Sequence, residues 1–177
     1  MQKPELIVEV GVWKGSSSIF MANQLKEMGK GKIVAVDTWL GAIEFWTKHI
    51  KGKNDKTRNL YLRNGYPSIY YNFLSNVVHK NVTDQVVPFP VPSLLAADFF
   101  KRNKIKAEII HIDASHEYQD VKADLNAWEK NVKPGGIIFG DDYNSYWKGV
   151  VKAVDEFVAA DTKRNLVLDK NKWIVKV

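Results

Sequence analysis

Residues 108–143, EIIHIDASHEYQDVKADLNAWEKNVKPGGIIFGDDY, decide the fold. They read as strand, turn, helix, turn, strand. Two short apolar runs flank a segment that places Tyr118, Val121, Leu125 and Trp128 on one helical face. Such a unit gives two parallel strands joined by a right-handed crossover. Each strand ends in carboxylates: Asp113 after the first, Asp141 and Asp142 after the second, with His116 close behind Asp113. Carboxylates gathered at neighbouring strand ends repel one another and resist burial. Something cationic is expected to hold them together.

Working outward, the same alternation continues. LIVEV, KIVAVD (32–37) and QVVPFPV (85–91) read as strands on the N-terminal side, and the prolines of the last suit a sheet edge. Segment 16–29 repeats Ile19, Ala22, Leu25 and Met28 along one helical face, with a serine expected to cap it and Gly29 to stop it. SLLAADFFKRN (93–103), HEYQDVKADLNAWEKNV (116–132) and YWKGVVKAVDEFVAA (146–160) read as further helices. NLVLD and KWIVKV close the chain with no helix between them, so they are expected to pair antiparallel around the turn KNK. The expectation is one α/β domain over 1–177, a doubly wound sheet with helices on both faces, binding its ligand at the carboxyl ends of the strands.

One segment breaks the rhythm. Residues 38–82 are long, aromatic and basic, and only SIYYNFLSNVV reads as the crossover helix. The first part, about residues 40–66, exceeds an ordinary loop and is expected to act as a lid over the strand ends, with Trp39, Phe45 and Trp46 facing the substrate.

Composition bounds the function. The chain has 177 residues and no cysteine, which excludes disulfides, thiolate nucleophiles and zinc–thiolate centres. The formal charge of +6 admits a nucleic-acid partner, but the lysines and arginines are dispersed, densest only in KHIKGKNDKTR (48–58). No signal peptide and no bilayer-spanning apolar run is visible, so a soluble cytoplasmic protein is expected, with no membrane partner.

Three motifs carry chemistry. In EVGVWKGSSS, Gly11 and Gly15 form the turn between the first strand and helix, where a ligand can approach the backbone and helix N–H groups. Trp13 stands where a dinucleotide fingerprint has its middle glycine, which argues against a pyrophosphate on this turn and against a nicotinamide-dependent oxidoreductase. Asp37 closes the second strand, about twenty residues after the turn, at the position of an acceptor for ribose hydroxyls. Asp113, Asp141 and Asp142 offer hard oxygen ligands suited to Mg²⁺, Mn²⁺ or Ca²⁺. Helix capping accounts for one acid per helix but not for the adjacent pair. His116 is a candidate general base, whereas His111 reads as a satisfied core histidine.

Taken together, E-V-G-x-x-x-G-S-S, the acid closing strand two, I-D-x-S-H-x-Y and K-P-G-G-x-x-x-x-D-D-Y resemble the class I S-adenosylmethionine-dependent methyltransferases. The resemblance is greatest to small-molecule O-methyltransferases of the macrocin and catechol types. It implies a Rossmann-like seven-stranded sheet of order 3-2-1-4-5-7-6 with strand seven antiparallel. It also implies a site. Glu9, Gly11, Val12, Trp13 and Gly15 would line the S-adenosylmethionine pocket, with Ser16 and Ser17 near its aminoacyl end. Asp37 would hold the ribose, Thr38 and Trp39 would flank the adenosine, and Ser93 would lie near the adenine. Asp113 would border the cofactor and, with Asp141 and Asp142, bind a divalent cation, Mg²⁺ being expected. The catechol-type base is a lysine three residues after the first acid; here that residue is His116, as in the sugar-modifying branch.

The function implied is metal-assisted O-methylation of a hydroxyl on a small sugar, polyol or phenol, with Asp113 and His116 as the catalytic residues. A methyltransferase acting on nucleic acid or protein is the alternative, opposed by three acids that would repel phosphate; a non-catalytic cofactor-binding module is another. Covering of the pocket is expected from the insertion or from a neighbouring subunit of a homo-oligomer.

Overall fold

The computed structural model describes residues 3–47 and 56–177. Seven strands form one sheet: β1 (Leu6–Val10), β2 (Lys32–Val36), β3 (Val86–Phe89), β4 (Ala107–Ile112), β5 (Val132–Gly140), β6 (Asn165–Asp169) and β7 (Lys172–Lys176). Their order is β3-β2-β1-β4-β5-β7-β6. All neighbours are parallel except β5–β7 and β6–β7, which are antiparallel. The order and the reversed seventh strand match the expectation from the sequence, and the proline-bearing β3 takes an edge.

The helices are α1 (Ser16–Glu27), α2 (Ile43–Thr47), α3 (Ile69–His79), α4 (Ser93–Arg102), α5 (Tyr118–Trp128) and α6 (Lys148–Ala159). Two cores follow from the alternation of side chains along the strands. Val8, Val10, Ile110, Ile112 and Ile138 pack with residues of α4, α5 and α6 such as Ala96, Leu125, Trp128 and Val154. Ile7, Ile33 and Val86 pack on the other face with Ala22 and Leu25 of α1 and Phe73 and Val77 of α3.

Helix boundaries differ from the sequence reading in instructive ways. The α1 N-cap is Gly15, in the left-handed region at φ 85°, and no serine hydroxyl caps the helix. Ser17 and Ser18 donate instead to Glu9 on β1, a stronger acceptor than a backbone carbonyl. Helix α5 begins at Tyr118 rather than His116. The chain from Asp113 to Glu117 is therefore a loop, which frees His116 from helical geometry.

The closing hairpin is anchored by Trp173, which is buried and opposite Gly140 in the β5–β7 register. A Cβ on residue 140 would come within 2.5 Å of the indole, so only glycine lets the ring lie on β5. The indole N–H of Trp173 is buried without a hydrogen-bond partner among the described residues. Trp173→Ala is expected to cost about 3–5 kcal/mol in urea unfolding, by transfer and cavity terms. Trp173→Phe should cost clearly less, because it removes the orphaned donor; equal losses would show that the indole N–H is satisfied in solution.

Candidate active site

The carboxyl ends of β1, β2 and β4 surround a cavity of about 620 Å³. Its first wall is the turn after β1. Gly11 adopts φ +85°, and a Cβ there would lie 2.2 Å from the carbonyl oxygen of Asp113, so glycine is what lets β1 and β4 close up at this edge. Asp37 then ties the turn down. Its Oδ2 accepts from the backbone N–H groups of Val12 (2.8 Å) and Trp13 (2.9 Å), and its Oδ1 from that of Trp39 (2.7 Å). Both tryptophans have φ 53°, an outlier for a bulky residue. The indole of Trp39 donates to the carbonyl of Trp13 at 2.8 Å, closing the clasp. Strained backbone held by charge-assisted hydrogen bonds is characteristic of binding sites.

The second feature lies beneath the cavity floor. Glu9 is fully buried and accepts from Ser17, Ser18 and, at 3.0 Å, from Nδ1 of His111. The other ring nitrogen of His111 meets Oδ2 of Asp141 at 3.1 Å, and Oδ1 of Asp141 receives Lys172. The imidazole also stacks on Phe139, with centroids 4.4 Å apart. With an acid at each nitrogen, His111 is a doubly donating cation. Burial opposes its charge more than any other single influence, but the hydrogen bonds to Asp141 and Glu9 outweigh it together and push its pKa up to about 9. Reciprocally, His111 pulls Asp141 down to about 2 against its partial burial, with Lys172 assisting. The expected core histidine is thus satisfied, and it and Lys172 supply the cations that one of the adjacent acids requires.

The third feature is the far wall. His116 Nε2 meets Asp142 Oδ2 at 2.7 Å, and the imidazole stacks on Trp147 with centroids 4.0 Å apart. Asp142 is itself in the left-handed region, φ 64°. Asp113 sits between these groups. Burial pushes its pKa up to about 6; His111 pulls it back, and Asp141 and Asp142 raise it further. Asp113, His116 and Asp142 bring one ligand atom each within 4.8 Å of one another, as do His111, Asp113 and Asp141.

Of the residues singled out from sequence, Gly11, Val12, Trp13, Ser16, Ser17, Asp37, Thr38, Trp39, Ser93, Asp113, His116 and Asp142 all line the cavity. Glu9 and Gly15 do not: Glu9 lies below the floor, and the space beside Gly15 is filled by Phe73. Asp141 turns away from the cavity to His111 and Lys172. Trp39 contributes only an edge, being buried against Tyr70 and Phe73. From the insertion, Gly41, Ala42, Ile43 and Phe45 reach the cavity, and Phe45 stacks on Trp13 at 5.0 Å. Trp46 instead donates to the carbonyl of Leu40. Most of the basic run lies outside the described residues. Sequence reasoning passed over Ser115 and Asp120, which also line the cavity and bond to each other at 2.8 Å. Their signal was the i, i+5 spacing across a helix start, which capping alone could explain.

The buried cation has a thermodynamic signature. A histidine whose folded pKa of about 9 exceeds its ordinary 6.5 contributes stability in full below 6.5 and loses it as pH rises through 9. The thermal midpoint of the protein is expected to fall between pH 7 and pH 9.5, and His111→Gln should remove most of that slope. A flat wild-type profile, or an equal slope in the variant, would show that His111 is neutral.

Comparison with known proteins agrees with this architecture. A family model described as a methyltransferase domain matches residues 8–143. Among solved structures, the O-methyltransferase NovP superposes with a TM-score of 0.67 at 21% identity, over 98% of this chain and 72% of that one. CalS11, a calicheamicin methyltransferase, gives 0.68 at 19% identity, over 98% and 72%. TomG from Streptomyces achromogenes, solved with SAM, gives 0.65 at 14%, over 98% and 73%. At such identities these likenesses show the fold. The uncharacterized protein R132 of Acanthamoeba polyphaga mimivirus is 44% identical over 54 residues, which are 29% of this chain and 24% of that protein. With the family match spanning the carboxyl ends of β1 to β5, where every cavity-bearing strand end lies, the chain belongs to the methyltransferase-domain family.

Proposed function

We propose that the protein is an S-adenosylmethionine-dependent O-methyltransferase acting on a hydroxyl of a small molecule, assisted by a divalent cation, expected to be Mg²⁺. The observation that carries this reading is the two-sided cavity. One wall is the Gly11 turn clasped by Asp37; the other is an acid–histidine pair, and both line the same 620 Å³. That volume lies within the range of small-molecule sites, about 300–1,000 Å³.

The residues present fit the cofactor. A carboxylate offers about four acceptor sites, and three of those on Asp37 are taken by backbone N–H groups. The remaining site, on Oδ1, is free for one ribose hydroxyl. Ser16 and Ser17 put the start of α1 against the cavity, where its N–H groups suit a carboxylate. Bound S-adenosylmethionine supplies an electrophilic methyl group on a sulfonium sulfur. The chain's part is then positioning and proton removal. His116 would take the proton of the acceptor hydroxyl as the methyl–sulfur bond gives way to the methyl–oxygen bond, leaving a neutral thioether. Asp142 orients the imidazole through Nε2, and Trp147 backs it.

The cation fits one set of donors better than the other. Both nitrogens of His111 are engaged, by Glu9 and Asp141. Asp113 and Asp142, with His116 beside them, are the ligands that would hold a divalent ion, which would lower the pKa of the acceptor hydroxyl. The same acids oppose a phosphodiester backbone, which favours a small hydroxylated acceptor over nucleic acid. No helix among the described residues is long and apolar enough to cross a membrane.

Titration calorimetry with S-adenosylhomocysteine is expected to show saturable binding at a single site, weakened at least roughly 10–100-fold by Asp37→Asn, which removes the charged acceptor and sets an amide N–H against a clasped backbone N–H. Absence of binding would remove the cofactor, and unchanged affinity in the variant would remove Asp37 from its site. Once an acceptor is found, His116→Ala should lower kcat by roughly 10²–10⁴ while leaving S-adenosylhomocysteine affinity unchanged. Turnover in chelator equal to that in Mg²⁺ would eliminate the cation.

A further inference from the structure

One motif in the insertion takes no part in the cavity. Residues 63–66, Arg-Asn-Gly-Tyr, fold as a hairpin with a two-residue loop. Arg63 and Tyr66 each donate a backbone N–H to the other's carbonyl at 2.9 Å. Asn64 and Gly65 have φ 50° and 80°, the paired positive values of a type I′ turn, which Asn-Gly favours. Below the tip, Ser68 ties the arms together. Its N–H donates to the carbonyl of Leu60 at 3.1 Å and its hydroxyl to that of Tyr61 at 2.6 Å. Leu60 is fully buried, so the hairpin stands on the core.

This held tip presents apolar and cationic groups to solvent. Tyr61, Leu62 and Tyr66 are 46%, 43% and 66% exposed. Arg63 lies opposite Tyr66 in the bridge, so the two share one face. Arg58, one helical turn before Tyr61, is exposed as well. The chain's other two arginines each pair with an acid, Arg102 with Asp98 and Arg164 with Glu129; Arg58 and Arg63 have no acid partner among the described residues. Residues 56–83 contain no aspartate or glutamate. Residues 45–83 hold seven lysines and arginines and one acid, Asp55, a formal +6 that equals the net charge of the whole chain. Basic residues are dispersed along the sequence, but their excess over acids lies in this insertion alone.

Charge and composition identify the partner. An unopposed positive surface suits an anionic one. Leucine and tyrosine among arginines make up segments that lie in a bilayer interface, with apolar groups below the headgroups and guanidinium groups against phosphate. A nucleic-acid strand also stacks its bases on tyrosine, but Leu62 offers it nothing. We propose that the hairpin 61–66, with Arg58, is a docking site for an anionic lipid surface. The expectation of no membrane partner rests on the lack of a bilayer-spanning run; contact with one leaflet needs none. Lys14, which follows the cavity residue Trp13, donates to the hydroxyl of Tyr61 at 2.9 Å, so docking here holds the cavity at the bilayer surface.

The test is co-sedimentation of the full chain with mixed phosphatidylserine–phosphatidylcholine vesicles and with vesicles of phosphatidylcholine alone. The wild type is expected to sediment with the anionic vesicles and not with the neutral ones, and less so as salt is raised. Arg58→Ser with Arg63→Ser should weaken that partition roughly 10–30-fold, at about fivefold per cation. Leu62→Ser with Tyr66→Ser leaves the charge unchanged and should weaken it roughly 5–50-fold through lost apolar contact. All four side chains are exposed, so both variants are expected to keep the wild-type thermal midpoint. Their S-adenosylhomocysteine affinity, which tests the proposed function separately, should also be unchanged. A wild type that ignores anionic vesicles overturns the proposal, as does either double variant that binds them like the wild type. Binding of single-stranded RNA by the wild type, without binding of vesicles, assigns the patch to nucleic acid and overturns it too.

Discussion

A single chain of charge crosses the sheet beneath the active site: Glu9 on β1, His111 on β4, Asp141 after β5, Lys172 on β7. Four adjacent strands are thereby joined at their functional edge by a series of paired charges, buried at Glu9 and His111 and open to solvent at Lys172. Removing one partner from a buried ion pair strands the other's charge, which typically costs about 3–5 kcal/mol. The backbone ladder alone would tolerate slippage at a sheet edge; this alternation of signs does not. It sets where Asp113 and Asp142 stand, because Asp113 immediately follows the strand that carries His111, and Asp142 follows Asp141.

The division of labour between the two adjacent acids follows from that chain. Asp141 faces inward and is spent on His111 and Lys172. Asp142 takes a left-handed backbone conformation, which turns it the other way, toward the cavity and His116. Neighbours in sequence thus serve opposite sides of the strand end, one holding the sheet and one available to chemistry. The clasp made by Asp37 has the same character across the cavity. Its carboxylate organises three backbone N–H groups, and the acceptor capacity that remains is what a ligand can use. In both places structural satisfaction comes first, and the residual valence defines the site.

Much of this was legible in the sequence. Apolar runs of strand length alternating with helical faces determine the parallel sheet, and the pair of final strands without a helix determines the reversed hairpin, because short connections join only antiparallel neighbours. That Gly11, Asp37, Asp113, His116 and Asp142 gather at one edge was legible, because in such a sheet chain position maps directly onto the carboxyl edge. Glu9 was read as a cavity residue from its place in the turn motif, but side chains alternate along a strand, and its partners Ser17, Ser18 and His111 draw it below the floor.

What only the tertiary structure decided is which polar groups meet across the fold. The pairings Glu9–His111, Asp141–Lys172 and Ser93–Asp124 join residues 102, 31 and 31 positions apart. No local pattern encodes such separations. The sequence by itself determined the topology and the edge at which the chemistry sits, since hydrophobic periodicity and strand order are local properties summed along the chain. Packing decided which acid is spent on structure, which histidine is held charged at neutral pH and which acid takes the Ser93 proton, since hydrogen-bond capacity is apportioned only when distant partners come within about 3 Å.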